Sequence, residues 1–264
     1  MLPDAIASFR ANGKTWLVTA NEGDAREYAA YAEEARIKDL PLDKLAFPDR
    51  ASLRLDGNLG RLLVSTVDAD TDGDGDVDAL YSFGGRSLSI WDEHGALVWD
   101  SGALLEQATA DAFPEHFNVD TDDSQVEKRS DAKGPEPEGV TIGKLRGRQY
   151  AFVGLERIGG VAAFDVTDPA APSLAAYVNN RDFDYDPFAP FEEGELDPDA
   201  LFFGPIGDLG PEGLLFIPAR RSPIGKALLV VCNEVSGTTT IWRVDPPPKA
   251  KGKSKGKSKT SGGK

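Results

Sequence analysis

A chain of 264 residues that is 40% hydrophobic holds enough apolar material for one large β domain or two small ones, and its formal net charge of −15 disfavours nucleic acid and anionic lipid as partners. Residues 246–264 carry seven Lys and no acid, so the rest of the chain sets 22 basic against 44 acidic residues, a net −22 that attracts cations. No apolar run is long enough to span a membrane, a single cysteine excludes an intrachain disulfide, and Met1-Leu2-Pro3-Asp4 has neither the basic start nor the apolar segment of a signal peptide.

In chain order, Trp16–Ala20 is the first clear strand signal. Ala25 to Leu40 predicts the one helix: it is rich in Ala, Glu and Arg, places Tyr28, Tyr31 and Ala35 on one face, and lies between an N-cap at Asp24 and a stop at Pro41. Short strands are predicted at 61–67, 79–83, 87–91, 97–100, 150–155, 161–166, 174–178, 214–217, 227–232 and 238–244. Cys232 ends one apolar strand and reads as a buried, inert thiol. The acidic, Phe-rich insertion Asn179–Gly210 reads as a structured rim loop, because Phe183, Phe188, Phe191, Phe202 and Phe203 need burial. The Lys/Gly/Ser tail 246–264 reads as disordered.

Three segments repeat. Pro3-Asp4-Ala5-Ile6 leads to a strand ending in Asn21-Glu22, Pro137-Glu138-Gly139-Val140 to one ending in Glu156, and Pro211-Glu212-Gly213-Leu214 to one ending in Asn233-Glu234. The second and third copies continue through a further strand to Asp168-Pro169 and Asp245-Pro246. Repeated units of three or four short antiparallel strands predict an all-β chain with a β-propeller architecture. With the strands of Arg61–Asp100 counted as a separate blade, about four blades occupy residues 1–245. That number is low for a closed ring, and it predicts that N-terminal blades, and a signal peptide with them, are missing.

Asp68, Asp70, Asp72, Asp74, Asp76 and Asp78 alternate with Ala, Thr, Gly and Val. Calcium takes six to eight oxygens from a chain that curls around it, and alternating carboxylates with glycine at the turn supply them. No Glu closes a twelve-residue loop and strands are expected on both sides, so the loop is not an EF-hand. A solvated acidic hairpin is the plainer alternative. The second candidate site is the set of strand-end acids Glu22, Glu138, Glu156, Glu212 and Glu234, with Asn21, Asn233, Arg26 and Arg157 beside them. Equivalent positions in a propeller face one channel, where carboxylates need a cation or arginines. They form either a channel metal or phosphate site or a set of caps on neighbouring turns. Lys133–Val140 and Asp120–Ser124 add further acids that could bind a cation or hold Arg129. His94 and His116 fall in no catalytic signature, and nothing places a serine nucleophile with a base.

The stretches Pro3–Ala7, Thr19–Tyr28, Leu80–Ser87, Lys133–Val140 and Gly154–Arg157, in that order, resemble the choice-of-anchor I family over residues 3–244. That family comprises secreted or surface-tethered β-propellers, among them mesenchyme-specific cell-surface glycoproteins and bacterial members described as alkaline phosphatase-like. The resemblance implies an extracellular or cell-surface calcium-binding module, represented here by its C-terminal portion. Two alternatives follow: a metal-dependent phosphomonoesterase acting on phosphorylated small molecules through the strand-end glutamates, and a surface scaffold that binds partners through the rim loop.

Overall fold

The computed structural model describes residues 2–185 and 206–245. The chain is mostly β, in antiparallel sheets. Sheet one has the order β1-β2-β7-β8, from Ala5–Ala11, Lys14–Asn21, Ser87–Asp92 and Leu97–Asp100. Two-stranded pairs form within the connection after β2: β3 (Glu27–Tyr28) with β4 (Tyr31–Ala32), and β5 (Glu34–Arg36) with β6 (Leu63–Ser65). Sheet two has the order β12-β11-β10-β9, from Ser173–Val178, Val161–Asp165, Arg148–Leu155 and Pro137–Leu145. Sheet three is β13-β14-β15, from Pro211–Ile217, Ala227–Asn233 and Thr238–Val244. The described helices are α1 (Arg50–Leu53) and α2 (Leu104–Ala112).

Local sequence explains the hairpins. Asn12-Gly13 and Arg146-Gly147 join β1 to β2 and β9 to β10 with positive φ at both residues, the twist that two-residue hairpins require. Strand alternation then stacks the sheets. On β10, Ala151, Val153 and Leu155 face a core shared with Val18, Leu88 and Ile90 of sheet one. Tyr150 and Phe152 face the opposite way, against Leu229 and Val231 of sheet three. Sheet two is thus covered on both sides, and β9 lies between β1 on one side and β13 on the other. The approach of β13 is so close that a Cβ on Gly139 would sit 1.8 Å from the Glu212 carbonyl oxygen, and one on Gly154 would sit 2.2 Å from that of Pro211. This explains the glycine of Pro137-Glu138-Gly139, whereas its counterpart Gly213 faces only the Cys232 side chain, 3.2 Å from a Cβ at that position.

Four expectations are corrected. The strands after Arg61 do not form a blade of their own: β7 pairs with β2, Asn21 opposite Ser87, so β7 and β8 complete sheet one. Residues 79–83 make only a single bridge, Val64 to Ser82, and the aspartate loop hangs from the β2–β7 connection instead of a blade edge. The segment 25–40 is not an α-helix but the strands β3, β4 and β5 followed by a single 3-10 turn at Ile37–Asp39. Its supposed apolar face is exposed (Tyr28 67%, Tyr31 42%), whereas pairing of β5 with β6 lets Ile37 and Val64 share a core, and that burial outweighs local helix propensity. The helix that does form, α2, buries only Leu105 and Thr109 and so gives a weak periodic signal. Cys232 is exposed, because Leu229 and Val231 take the inward face of β14 and the pleat turns residue 232 outward. Phe183 stacks on His116 with ring centres 4.3 Å apart. Phe188, Phe191, Phe202, Phe203 and the tail 246–264 lie outside the described residues.

Candidate functional site

The aspartate loop is pinned at both ends. Asp78 and Ala79 donate backbone N–H groups to the Ala69 carbonyl at 2.9 and 3.1 Å, and Ala69 and Val77 are buried in the small core of the connection. Val77 also bridges Leu42, which brings Asp43 alongside. Between these ends Gly73 (φ 81°) and Gly75 (φ 97°) reverse the chain in a conformation that favours glycine. Asp70 accepts the N–H groups of Gly73 and Gly75 at 2.7 and 3.0 Å. Asp78 accepts the Thr71 N–H and hydroxyl at 2.7 and 2.9 Å, and these bonds hold its carboxyl below the usual range.

Carboxylate oxygens of Asp70, Asp72 and Asp78 lie within 4.8 Å of one another, and so do those of Asp43, Asp76 and Asp78. Asp76 is raised above its ordinary value by burial and by the charges of Asp74 and Asp43, and one of its oxygens is buried without a hydrogen-bond partner. A donor set made only of carboxylates, with an oxygen left over, suits a hard cation such as calcium. Asp68 (φ 57°) opens the loop and Asp74 accepts the Asp76 N–H at 3.1 Å; neither joins a triad. Asp43 joins through a bridge 34 positions distant, Leu42 to Val77 lying 35 apart, and carries no local motif.

The strand-end acids converge in two overlapping groups: Glu138, Glu156 and Glu234, then Glu22, Glu136 and Glu156, each with oxygens within 4.8 Å. The second group is neutralised. Lys133 lies 2.8 Å from Glu22 and 3.3 Å from Glu136, Arg157 lies 3.0 Å from both Glu136 and Glu156, and Arg129 pairs with Glu136. Burial raises the Glu136 carboxyl, but Arg129, Lys133 and Arg157 outweigh it and hold the group down to about 2. Asp120 joins through Arg129 at 3.3 Å and Arg157 at 3.6 Å. Arg181 braces the same region, donating to the carbonyls of Asp120, Arg157 and Thr121 at 2.8, 2.9 and 3.2 Å.

In the first group only Glu156 is compensated, by Arg157. Burial, then the charges of Glu156, Glu212, Glu22 and Glu234, push Glu138 up to about 9, and one of its oxygens is buried without a partner. Burial pushes Glu156 up to about 8 against the pull of Arg157. Glu212 and Glu234 are exposed. Arg26 turns away to Glu33 at 2.8 Å. Asn21 and Asn233 are buried within their own sheets, donating to Ser87 and Ser89 and to Thr238. The strand-end pattern therefore located the cluster; Glu136 and Lys133 at its centre stood outside that pattern but inside the Lys133–Val140 stretch, whose Glu136, with Asp120, does hold Arg129.

A choice-of-anchor I domain model matches residues 1–169, which span sheet one, the aspartate loop and strands β9 to β11. Gigasin-3a of Magallana gigas is 29% identical over 201 residues, covering 73% of this chain and 67% of that protein. The mesenchyme-specific cell surface glycoprotein of Strongylocentrotus purpuratus is 28% identical over 199 residues, covering 62% of this chain and 26% of that much longer protein. With the family model spanning well over half of its length, the chain belongs to the choice-of-anchor I domain family.

Proposed function

We propose that this chain is an extracellular or cell-surface module of propeller type whose Asp68–Asp78 loop holds a structural calcium ion. The observation that carries the calcium reading is the convergence of Asp70, Asp72 and Asp78 on a loop already curled by its own backbone bonds. The propeller reading draws on the serial stacking of three sheets with β9 set between β1 and β13. The surface location draws on the name of the urchin relative. Calcium at about 100 times its dissociation constant stabilises a folded binder by about 2.7 kcal/mol, so the melting temperature rises with calcium and falls back with chelator. Asp72→Ala and Asp78→Asn remove that rise. An unchanged melting temperature at millimolar calcium in the unsubstituted chain rules the reading out.

A second reading rests on Glu138, Glu156 and Glu234. Their three close carboxylates, beside the Arg157 guanidinium, form a set that a divalent cation would neutralise, and such a cation could clamp a phosphate. Turnover of an aryl phosphate that needs the metal and disappears in Glu138→Ala supports a phosphomonoesterase. No turnover with any divalent metal leaves the cluster a structural one.

A further inference from the structure

The charge of this chain is unevenly placed. The acids Glu22, Glu138, Glu156, Glu212 and Glu234 lie where β2, β10 and β14 end and where β9 and β13 begin. The β1–β2, β9–β10 and β13–β14 turns lie at the opposite ends of these strands, which are seven to nine residues long, roughly 23–30 Å. None of the three turns holds an acid. Arg10 and Lys14 flank the first, Lys144 and Arg146 lie at the second, and Arg220, Arg221 and Lys226 in the third; all are exposed. Among the described residues none of these seven forms an ion pair; the pairs at this end join Arg148 to Asp165 and Arg243 to Asp245. In a chain of 44 acids and 29 bases, seven unpaired cations on one end make a local positive field against the overall charge.

The three turns adjoin one another. The Gln149 side-chain amide donates to the Arg10 carbonyl at 3.1 Å, which joins the first turn to the second. A Cβ on Gly143 would lie 2.6 Å from the Phe216 ring, which sets the second against the third. With stacked sheets about 10 Å apart, the turns form a strip of roughly 20 Å. Farther along sheets one and two the next turns carry Asp92, Glu93 and Asp168, so acids border the strip. A flat anionic membrane would meet that border as well as the strip, and Ile224 is the only large apolar side chain exposed in these turns to enter it. The turns contain no aromatic residue on which nucleic-acid bases would stack. A thread-like polyanion follows the strip and avoids the border. The flanks of the acidic segment 186–205 lie at the other end of the sheets, where Arg181 donates to the Arg157 carbonyl and Gly210 accepts the Glu234 N–H.

We propose that the β1–β2, β9–β10 and β13–β14 turns form a binding strip for a linear anionic polysaccharide. Its carboxylate or sulfate groups pair with Arg10, Arg146, Arg220 and Arg221, whose planar guanidinium forks match such groups two bonds at a time. The three lysines add charge without that geometry.

The probes are fluorescein-labelled heparin, which bears sulfates, and polygalacturonate, which bears carboxylates alone, each titrated with the full chain and read by fluorescence anisotropy. Saturable binding of at least one is expected, weakening as salt rises, with neutral dextran unbound; the probe that binds names the anion. Arg220→Ser with Arg221→Ser lowers the affinity about tenfold or more. Lys44→Ser with Arg50→Ser removes the same charge away from the strip and leaves the affinity within about twofold. Arg146→Asn, which keeps a residue suited to the positive φ of 49° at that turn, gives a loss of its own and serves if the double variant does not fold. No saturable binding of either probe overturns the proposal, and so does an equal loss in the Lys44 and Arg50 variant. Unchanged affinity in every strip variant overturns it in favour of the lysines of 246–264. Tighter binding to single-stranded DNA or to anionic vesicles overturns it in favour of those partners.

Discussion

Replacing Glu136 by Gln removes the charge on which three cations converge. The residue is fully buried, pairs with Arg129, and lies 3.3 Å from Lys133 and 3.0 Å from Arg157. A carboxyl held down to about 2 from 4.5 corresponds to about 3 kcal/mol of stability at neutral pH. Breaking a buried pair by removing one partner costs a similar ~3–5 kcal/mol. At about 2–4 °C per kcal/mol for a chain of this size, the melting temperature falls by roughly 6–12 °C. Urea denaturation at pH 7, fitted for midpoint and slope, measures the difference. The pH dependence tests the cause. A depressed carboxyl contributes its stability above its unfolded value of 4.5 and loses it as pH falls toward 2, so the gap between the unsubstituted chain and Glu136→Gln narrows from pH 5 downward. Adding Lys133→Met costs less in Glu136→Gln than in the unsubstituted chain, because the lysine has already lost a partner. A gap at pH 7 below about 1 kcal/mol, the range of exposed pairs, refutes the argument.

Glu138 and Glu156 behave oppositely. With carboxyls pushed up to about 9 and about 8, their contribution is complete below 4.5 and is lost as pH rises through those values. Glu138→Gln therefore matches the unsubstituted chain below pH 4.5 and melts higher at pH 9; calorimetry across that range decides, and equal curves throughout disprove it. Gly139→Ala places a methyl group 1.8 Å from the Glu212 carbonyl oxygen and destabilises by about 1–3 kcal/mol or more, whereas Gly57→Ala, with nothing within 4 Å, is close to neutral. Equal denaturation midpoints for the two alanine variants contradict the close approach of β9 and β13.

The hairpins and the internal repeat were legible because both depend on neighbours in sequence. Asn12-Gly13 dictates its turn, and the short continuous apolar runs of β10 and β14, bounded by turn residues, announce their strands. What lay hidden depends on partners far along the chain. Nothing local tells that β2 pairs with β7, or that β5 prefers β6 to a helix. The site divides the same way. The aspartates declare themselves by alternation, but Asp43 reaches them only through the Leu42–Val77 bridge. Glu138 attracts notice by matching Glu212 in the repeat, and Glu136, two residues earlier, by lying in the acidic stretch expected to hold Arg129; that Arg157 and Lys133 close on the same carboxylate was not legible.

The pairing of Asn21 with Ser87, 66 positions apart, also sets a timetable for synthesis. At about 5–20 residues per second, a ribosome needs roughly 3–13 s after finishing β2 before its partner strand is translated. Through that interval the β1–β2 hairpin presents an open edge bearing Trp16, Leu17 and Val18, and sheet two has not yet been made to cover its inner face. The acidic connection translated meanwhile gives the nascent chain like charges that oppose premature association.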